Sequence, residues 1–104
     1  MLLQSMTVDI IQIETSGFPM LGHNNYTLTC KAFVSDHLCP FVSYQWTKEN
    51  GTVAQPENRI LTFSPLKLSD AGRYTCQVTV CSYRFNNDVT VMKSHEVRVQ
   101  SEFT

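Results

Sequence analysis

The chain has few charged residues and no block of charge of one sign. Its 8 Lys and Arg residues and 9 Asp and Glu residues give a formal net charge of −1. Proteins that bind nucleic acid usually carry a basic stripe, so we expect no nucleic-acid partner. Charged residues make up 16% of the sequence and hydrophobic residues 42%. That balance is typical of a folded globular domain and argues against a disordered polar chain.

Motifs for catalysis or cofactor binding are absent from the sequence as well. It contains no Gly-rich phosphate loop, no calcium loop and no Gly-x-Ser-x-Gly elbow. The pair closest to metal-ligand spacing is His37 and Cys39, with no Cys-x-x-Cys beside it. We interpret His23, His37 and His95 as solvated loop histidines and not as parts of a catalytic triad. We therefore predict no enzyme activity, cofactor, metal or small-molecule substrate.

Long apolar runs are also missing. No stretch approaches the roughly 20 residues of a transmembrane helix. The N-terminal MLLQSM has neither the basic start nor the apolar length of a signal peptide.

Four cysteines are present, Cys30, Cys39, Cys76 and Cys81. An even set in so short a chain indicates two disulfides and an oxidising compartment. The alternative is four free buried thiols in a cytosolic protein. With disulfides, the export signal would lie outside this sequence. We therefore expect residues 1–104 to form a single domain of a larger secreted or membrane-anchored protein.

Alternating polar and apolar residues predict several short β-strands and no helix of useful length. The predicted strands are TVDIIQI (7–13), YTLTCKAFV (26–34), FVSYQWTK (41–48), RILTF (59–63), RYTCQVTV (73–80) and KSHEVRVQ (93–100). Gly, Pro and Asn residues mark loops between them, and ENGT (49–52) reads as a turn. The pattern favours an antiparallel β-sandwich or barrel.

The stretch DAGRYTCQV (70–78) combines turn and strand signals. Cys76 and Tyr74 face the core together because strand side chains repeat every two residues. Gly72 and Asp70 fall in the preceding turn, where Gly can adopt an unusual backbone angle and Asp can bond nearby amides.

These residues resemble the framework of the immunoglobulin superfamily. The matching positions are Leu28-Thr29-Cys30, Trp46 and Leu61-x-Phe63-x-x-Leu66-x-x-x-Asp70-x-Gly72-x-Tyr74-x-Cys76. The resemblance covers nearly the whole chain and implies an immunoglobulin-like two-sheet antiparallel Greek-key sandwich. It assigns the family's buried Trp to Trp46 and its tyrosine corner to Tyr74.

The resemblance also indicates the type of domain. Only 14 residues separate Trp46 from Leu61, too few for the extra edge-strand pair of a variable-type domain, so an intermediate or constant-like set fits better. The phrases SGFPMLGHNNYTLTC and LTFSPLKLSDAGRYTCQVTV resemble domains of sponge and other early-animal surface receptors. Those proteins include receptor tyrosine kinase ectodomains and adhesion molecules.

Four cysteines allow three disulfide pairings, and the resemblance favours Cys30–Cys76 together with Cys39–Cys81. The second bridge would join the loop before the Trp46 strand to the loop after the Cys76 strand. It would either prepare those loops for recognition or simply stabilise them.

Two asparagines stand in N-glycosylation triplets, Asn25-Tyr26-Thr27 and Asn50-Gly51-Thr52. Both fall next to predicted turns, so we expect Asn25 and Asn50 to be candidate glycosylation sites.

Two surfaces are candidates for binding a partner. Tyr83, Arg84 and Phe85 stand together in one loop, and Tyr and Arg are enriched in binding hot spots. Alternatively, Tyr83 or Phe85 packs inward to close the sandwich. The second surface is a polar strand face, with Ser43, Gln45, Thr47, Gln77 and Thr79.

The expected function is an extracellular recognition or adhesion module of a cell-surface receptor, binding a protein ligand or a second copy of itself. One alternative is a structural spacer in a multi-domain ectodomain. Another is an intracellular immunoglobulin domain of a filament scaffold, which intact disulfides would exclude in practice.

Overall fold

The computed structural model describes residues 8–34, 42–51, 53–56, 59–80 and 89–101. Within these ranges the chain forms β1 (Val8–Ser16), β2 (Tyr26–Val34), β3 (Val42–Lys48), β4 (Val53–Pro56), β5 (Ile60–Phe63), β6 (Gly72–Val80) and β7 (Val89–Val97). A single 3₁₀ turn, Leu68–Asp70, precedes β6. The structure therefore confirms the expected all-β class for the described residues.

The strands form two antiparallel sheets. One has the order β1-β2-β5 and the other β4-β3-β6-β7. Strands β2 and β3 are consecutive along the chain but belong to different sheets, and β3 pairs with β6. This Greek-key order confirms the immunoglobulin-like sandwich expected from the sequence.

The core lies between the inward faces of the two sheets. On β2, Tyr26, Leu28 and Cys30 are buried, whereas the intervening Thr27 and Thr29 are only half-buried, which is the alternation that the sequence predicts. The buried core residues are Tyr26, Leu28, Cys30, Trp46, Leu61, Phe63, Leu66, Tyr74, Cys76, Val78 and Val97.

Three strand predictions differ from the structure. Strand β1 continues to Ser16, beyond the predicted end at Ile13. Strand β7 begins at Val89, before the predicted start at Lys93, and Val91 extends its inward alternation. The short β4 was not expected, because its sequence VAQP shows no alternating pattern. It pairs along β3 at the edge of the sheet and ends at Pro56, as suits a residue without an amide donor.

One end of the sandwich carries the turns 17–25, 49–51 and 64–71 and the segment 98–101; we call it the turn end. Backbone hydrogen bonds join these segments: Leu21 N–H donates to Gln100 O at 2.7 Å, and Gly22 N–H donates to Leu66 O at 2.8 Å. At the opposite end β2 and β6 finish while β3 and β7 begin, with Val42 paired to Val80 and Val80 to Val89.

Candidate functional site

The centre of the sandwich is a disulfide packed beside a tryptophan. Cys30 of β2 and Cys76 of β6 are bonded across the two sheets, with Cα atoms 6.4 Å apart. Trp46 is directly opposite Cys76 on the neighbouring strand and is completely buried. The pairing that the resemblance implied for Cys30 and Cys76 is thus present in the structure.

The backbone carbonyl of Arg59, immediately before β5, holds the Trp46 indole in position. The Arg59 carbonyl oxygen accepts a hydrogen bond from the Trp46 indole N–H at 3.3 Å and another from the Cys30 backbone N–H at 2.8 Å. A buried indole needs such an acceptor. The same oxygen therefore links the disulfide strand and the tryptophan strand.

Tyr74 forms the corner that the resemblance predicts. Its hydroxyl donates to the Asp70 carbonyl at 2.7 Å, and the Asp70 carboxylate accepts from the Lys67 backbone N–H at 2.8 Å. Gly72 has φ +143°, and a Cβ there would come 2.8 Å from the Glu49 carboxylate. The expected role of Asp70 in the turn is confirmed, and so is the unusual backbone angle of Gly72, although Gly72 is the first residue of β6 and not part of the turn.

The Lys48 side chain contacts both the turn before β6 and the Tyr74 ring. Its Nζ donates to the Ser69 carbonyl at 2.6 Å and lies 5.8 Å from the centroid of the Tyr74 ring, which is within cation–π range. Burial, followed by the nearby Asp70 and Glu49 carboxylates, raises the pKa of Tyr74 to about 12. The phenol consequently stays protonated, and remains a donor, throughout the physiological range.

A continuous uncharged surface lies on the outward side of β3, β6 and β7, and it ends at the exposed charged pair of Arg73 and Glu96. We call this uncharged surface the outer face. Three transverse rows of paired residues make it: Ser43 with Thr79 and Thr90, Gln45 with Gln77 and Met92, and Thr47 with Thr75 and Ser94. Hydroxyls bridge neighbouring strands, with Thr79 Oγ1 and Thr90 Oγ1 3.2 Å apart and Thr75 Oγ1 and Ser94 Oγ 2.8 Å apart. None of these nine residues is charged.

The family model for the immunoglobulin domain matches residues 11–79, more than half of the 104-residue chain. The chain belongs to this family. No curated protein and no solved structure gives a significant match to it.

The five polar residues predicted as a strand surface lie together on the outer face of this immunoglobulin domain. Sequence reasoning missed the contribution of β7, including Met92, which is 64% exposed at the end of the middle row. The alternation of Thr90, Met92 and Ser94 was a usable signal, but the strand was predicted to begin only at Lys93.

Asn25 and Asn50, the predicted glycosylation acceptors, are both exposed at the turn end. Asn25 has φ +63°, a left-handed conformation that asparagine tolerates better than most residues, and Asn50 lies in the turn after β3. Both acceptors are therefore at the opposite end of the strands from Val34 and Val80, where β2 and β6 finish.

The histidines gather into no site within the described ranges. His23 is half-buried in the turn between β1 and β2, whereas His95 is half-buried in β7, opposite Tyr74, and so is not the loop residue we predicted. Among the described residues, no group of three or more His, Cys, Asp or Glu side chains could hold a metal ion.

Several predicted residues lie outside the described ranges. They are His37, Cys39, Cys81, Tyr83, Arg84 and Phe85. The Cys39–Cys81 bridge and the loop surface therefore stay predictions.

Proposed function

We propose that this immunoglobulin domain is a non-catalytic recognition or adhesion module. It acts on the extracellular side of the plasma membrane or in a secreted protein. There it binds a protein ligand or a second copy of itself. The Cys30–Cys76 bond supports this location, because structural disulfides persist in oxidising compartments and are rare in the cytosol. In the part of the chain that the structure describes, no helix is long and apolar enough to cross a membrane.

The uncharged outer face carries the proposal of recognition. Burying an unpaired charge at an interface costs free energy, and interface cores are depleted of charged residues and enriched in Met. The three rows contain only Ser, Thr and Gln side chains and the exposed Met92. Their strands are already ordered by the core beneath, so binding costs little additional conformational entropy.

The strand arrangement supports an intermediate or constant-like domain. A constant-type domain has four strands in one sheet and three in the other, and a variable-type domain adds two strands to the three-stranded side. Here β4 is a single added strand beside β3, and three residues separate it from β5. A surface receptor of early-animal type, such as a receptor tyrosine kinase ectodomain or an adhesion molecule, is the parent that we propose.

Beads coated with the secreted chain test this function. Two-colour beads should co-aggregate if the partner is a second copy. Otherwise, labelled multimers should stain cells that carry the partner. Gln77→Lys, which places a charge in the middle of the outer face, should weaken binding at least about tenfold, or 1.4 kcal/mol. Gln12→Lys is the matched control, because Gln12 is exposed on β1 of the other sheet.

Other results would redirect the proposal. If Arg84→Ala abolished binding and Gln77→Lys did not, the recognition surface would be the predicted loop of Tyr83, Arg84 and Phe85. If the chain bound nothing in either format, the spacer alternative would replace recognition. Free-thiol titration of the native protein would separate both from an intracellular scaffold domain.

A further inference from the structure

Three apolar side chains stand exposed in the turn between β1 and β2. Phe18, Met20 and Leu21 have exposed fractions of 71%, 39% and 45%, and together we call them the turn patch. No Lys, Arg, Asp or Glu occurs from Thr15 to Cys30. The turn patch therefore has no charged neighbour along this stretch of the chain.

The backbone beneath the turn patch is held on several sides. Met20 N–H donates to Phe18 O at 2.8 Å, Leu21 N–H to Gln100 O at 2.7 Å, and Gln100 N–H to Pro19 O at 2.8 Å. The Phe18 ring also packs edge-on with the His23 ring, their centroids 5.9 Å apart. The patch is thus a preformed surface, and its exposure does not come from a frayed end.

Asn25 borders the turn patch. Gly17, immediately before Phe18, packs so closely on Asn25 that a Cβ on Gly17 would come 3.1 Å from the Asn25 carbonyl oxygen. One residue further, Ser16 pairs with Thr27, the third residue of the glycosylation triplet. The backbone of Asn25 therefore lies beside Gly17, at the base of the turn that carries the patch.

We propose that Asn25 is a glycosylation site whose glycan packs over Phe18, Met20 and Leu21. This inference rests on the proposed extracellular location, because only a chain that enters the secretory route receives an N-linked glycan. The C–H faces of the first sugars cover the apolar side chains, and the sugar hydroxyls remain in water. The glycan replaces an exposed apolar surface with a hydrated one.

A tethered sugar suits the patch better than a protein does. A stable protein interface takes roughly 800 Å² from each partner, far more than three side chains of one turn provide. A glycan on Asn25 has a high effective concentration at the patch because it is covalently attached next to it. Weak apolar contacts are then enough to keep it in place.

Asn50 supplies an internal control. It is exposed in the turn after β3, beside Lys48 and Glu49, and none of the exposed large hydrophobic residues falls within 43–51. A glycan on Asn50 therefore has no such apolar surface in its own turn.

The test begins with secretion of the whole chain from a glycosylating host behind an added leader. Glycosylation then depends on the domain and not on the native location of the protein. Asn50→Gln leaves only the Asn25 acceptor, and Asn25→Asp leaves only the Asn50 acceptor. Peptide mapping measures occupancy, and thermal melting is compared before and after peptide-N-glycosidase treatment, which converts the glycosylated Asn to Asp.

We expect Asn25 to be occupied and removal of its glycan to lower the melting temperature by about 4 °C, a shift appropriate to modest apolar burial in a domain of this size. Phe18→Ser should reduce that shift to less than about half, because Phe18 is the most exposed of the three side chains, and the domain should stay folded. Removing the Asn50 glycan should change the melting temperature by less than about 1 °C. Binding of a hydrophobic dye should rise only when the Asn25 glycan is removed.

Three results would overturn the proposal. The first is an unmodified Asn25 in the secreted chain. The second is a melting shift of undiminished size in Phe18→Ser. The third is self-association of the glycosylated chain that Phe18→Ser abolishes, which would assign the patch to a second copy. The bead assay is independent of all three, because Gln77 lies on the outer face and the patch lies in the turn between β1 and β2.

Discussion

Strands β3 and β6 present two different surfaces through alternate residues. Facing inward, Trp46 and Cys76 form one completely buried pair. One residue away, Gln45 and Gln77 form the next pair and face outward. The two pairs share their strands, so local backbone structure cannot explain the difference between them.

The inward and outward surfaces consequently have different roles in the domain. Inward residues determine the fold, because their burial and packing supply most of the free energy of unfolding. Outward residues contribute little to that free energy and are available for recognition. Substitutions on the two sides should therefore differ in cost even when they stand next to each other.

Trp46→Ala should have the largest effect. The side chain is completely buried, and its indole N–H is bonded to Arg59 O. Loss of the ring should reduce the free energy of unfolding by about 5 kcal/mol, near the top of the range for large-to-small core changes. Trp46 is the only tryptophan, so the variant has no tryptophan fluorescence with which to follow unfolding. Circular dichroism in a urea titration is therefore the suitable measurement. Gln45→Ala is the outward control, and an equal loss there would contradict the division.

Removing the framework disulfide comes next. The Cys30–Cys76 bridge spans 46 residues, for which the chain-entropy model gives about 4 kcal/mol. The double change Cys30→Ala with Cys76→Ala should lower stability by that amount in denaturant titrations.

Digestion without reductant complements this measurement. It should link Cys30 to Cys76 and, by the sequence prediction, Cys39 to Cys81. A peptide that links Cys30 to Cys39 would refute the strand arrangement.

The Tyr74 corner predicts a dependence of stability on alkaline pH. Burial and the nearby carboxylates raise the pKa of Tyr74 in the folded chain to about 12, from its ordinary value of 10.0. The folded state therefore holds its proton more tightly, and the associated stabilisation is complete below pH 10. It is lost as pH rises through about 12 and amounts to roughly 2 to 3 kcal/mol.

Tyr74→Phe isolates this effect. The variant should lose about 1 kcal/mol at neutral pH, because the hydrogen bond to Asp70 O is gone. Its free energy of unfolding should then fall less steeply than that of the parent between pH 10 and 12. Burial also raises the pKa of Tyr26, so part of the slope should remain in both proteins. If the free energy of unfolding fell with the same slope in both proteins, ionisation of Tyr74 would not be the cause of the alkaline destabilisation.

The sequence predicts the inward surface better than the outward one. Trp46, Tyr74 and Cys76 could be assigned because burial imposes alternation and spacing within a single strand. The outer face depends on pairing between strands, which no local pattern determines. For that reason the pairing of β4 with β3 was missed, whereas Met92 was missed because the last strand was predicted to begin only at Lys93.

The turn patch was missed for a related reason. The segment around Phe18 reads as a loop, since Gly17, Pro19 and Gly22 interrupt any alternation. Its backbone is held by hydrogen bonds to Gln100 and Leu66, which are distant in sequence, and its proximity to Asn25 follows from the pairing of β1 with β2. Tertiary contacts of this kind leave no periodic signal.

Two adjacent residues, one of them with the smallest expected effect, give the sharpest test of the comparison. Val78 is completely buried, and its neighbour Thr79 faces outward with its hydroxyl 3.2 Å from that of Thr90. Val78→Thr keeps the shape but buries a hydroxyl, and should cost about 1 to 3 kcal/mol. Thr79→Val keeps the β-branched shape and removes only an exposed hydrogen bond, so stability should change by less than about 0.5 kcal/mol. Urea titrations of the two variants against the parent measure both values. Equal costs would mean that the outer face also determines the fold, and it could then no longer vary independently as a recognition surface.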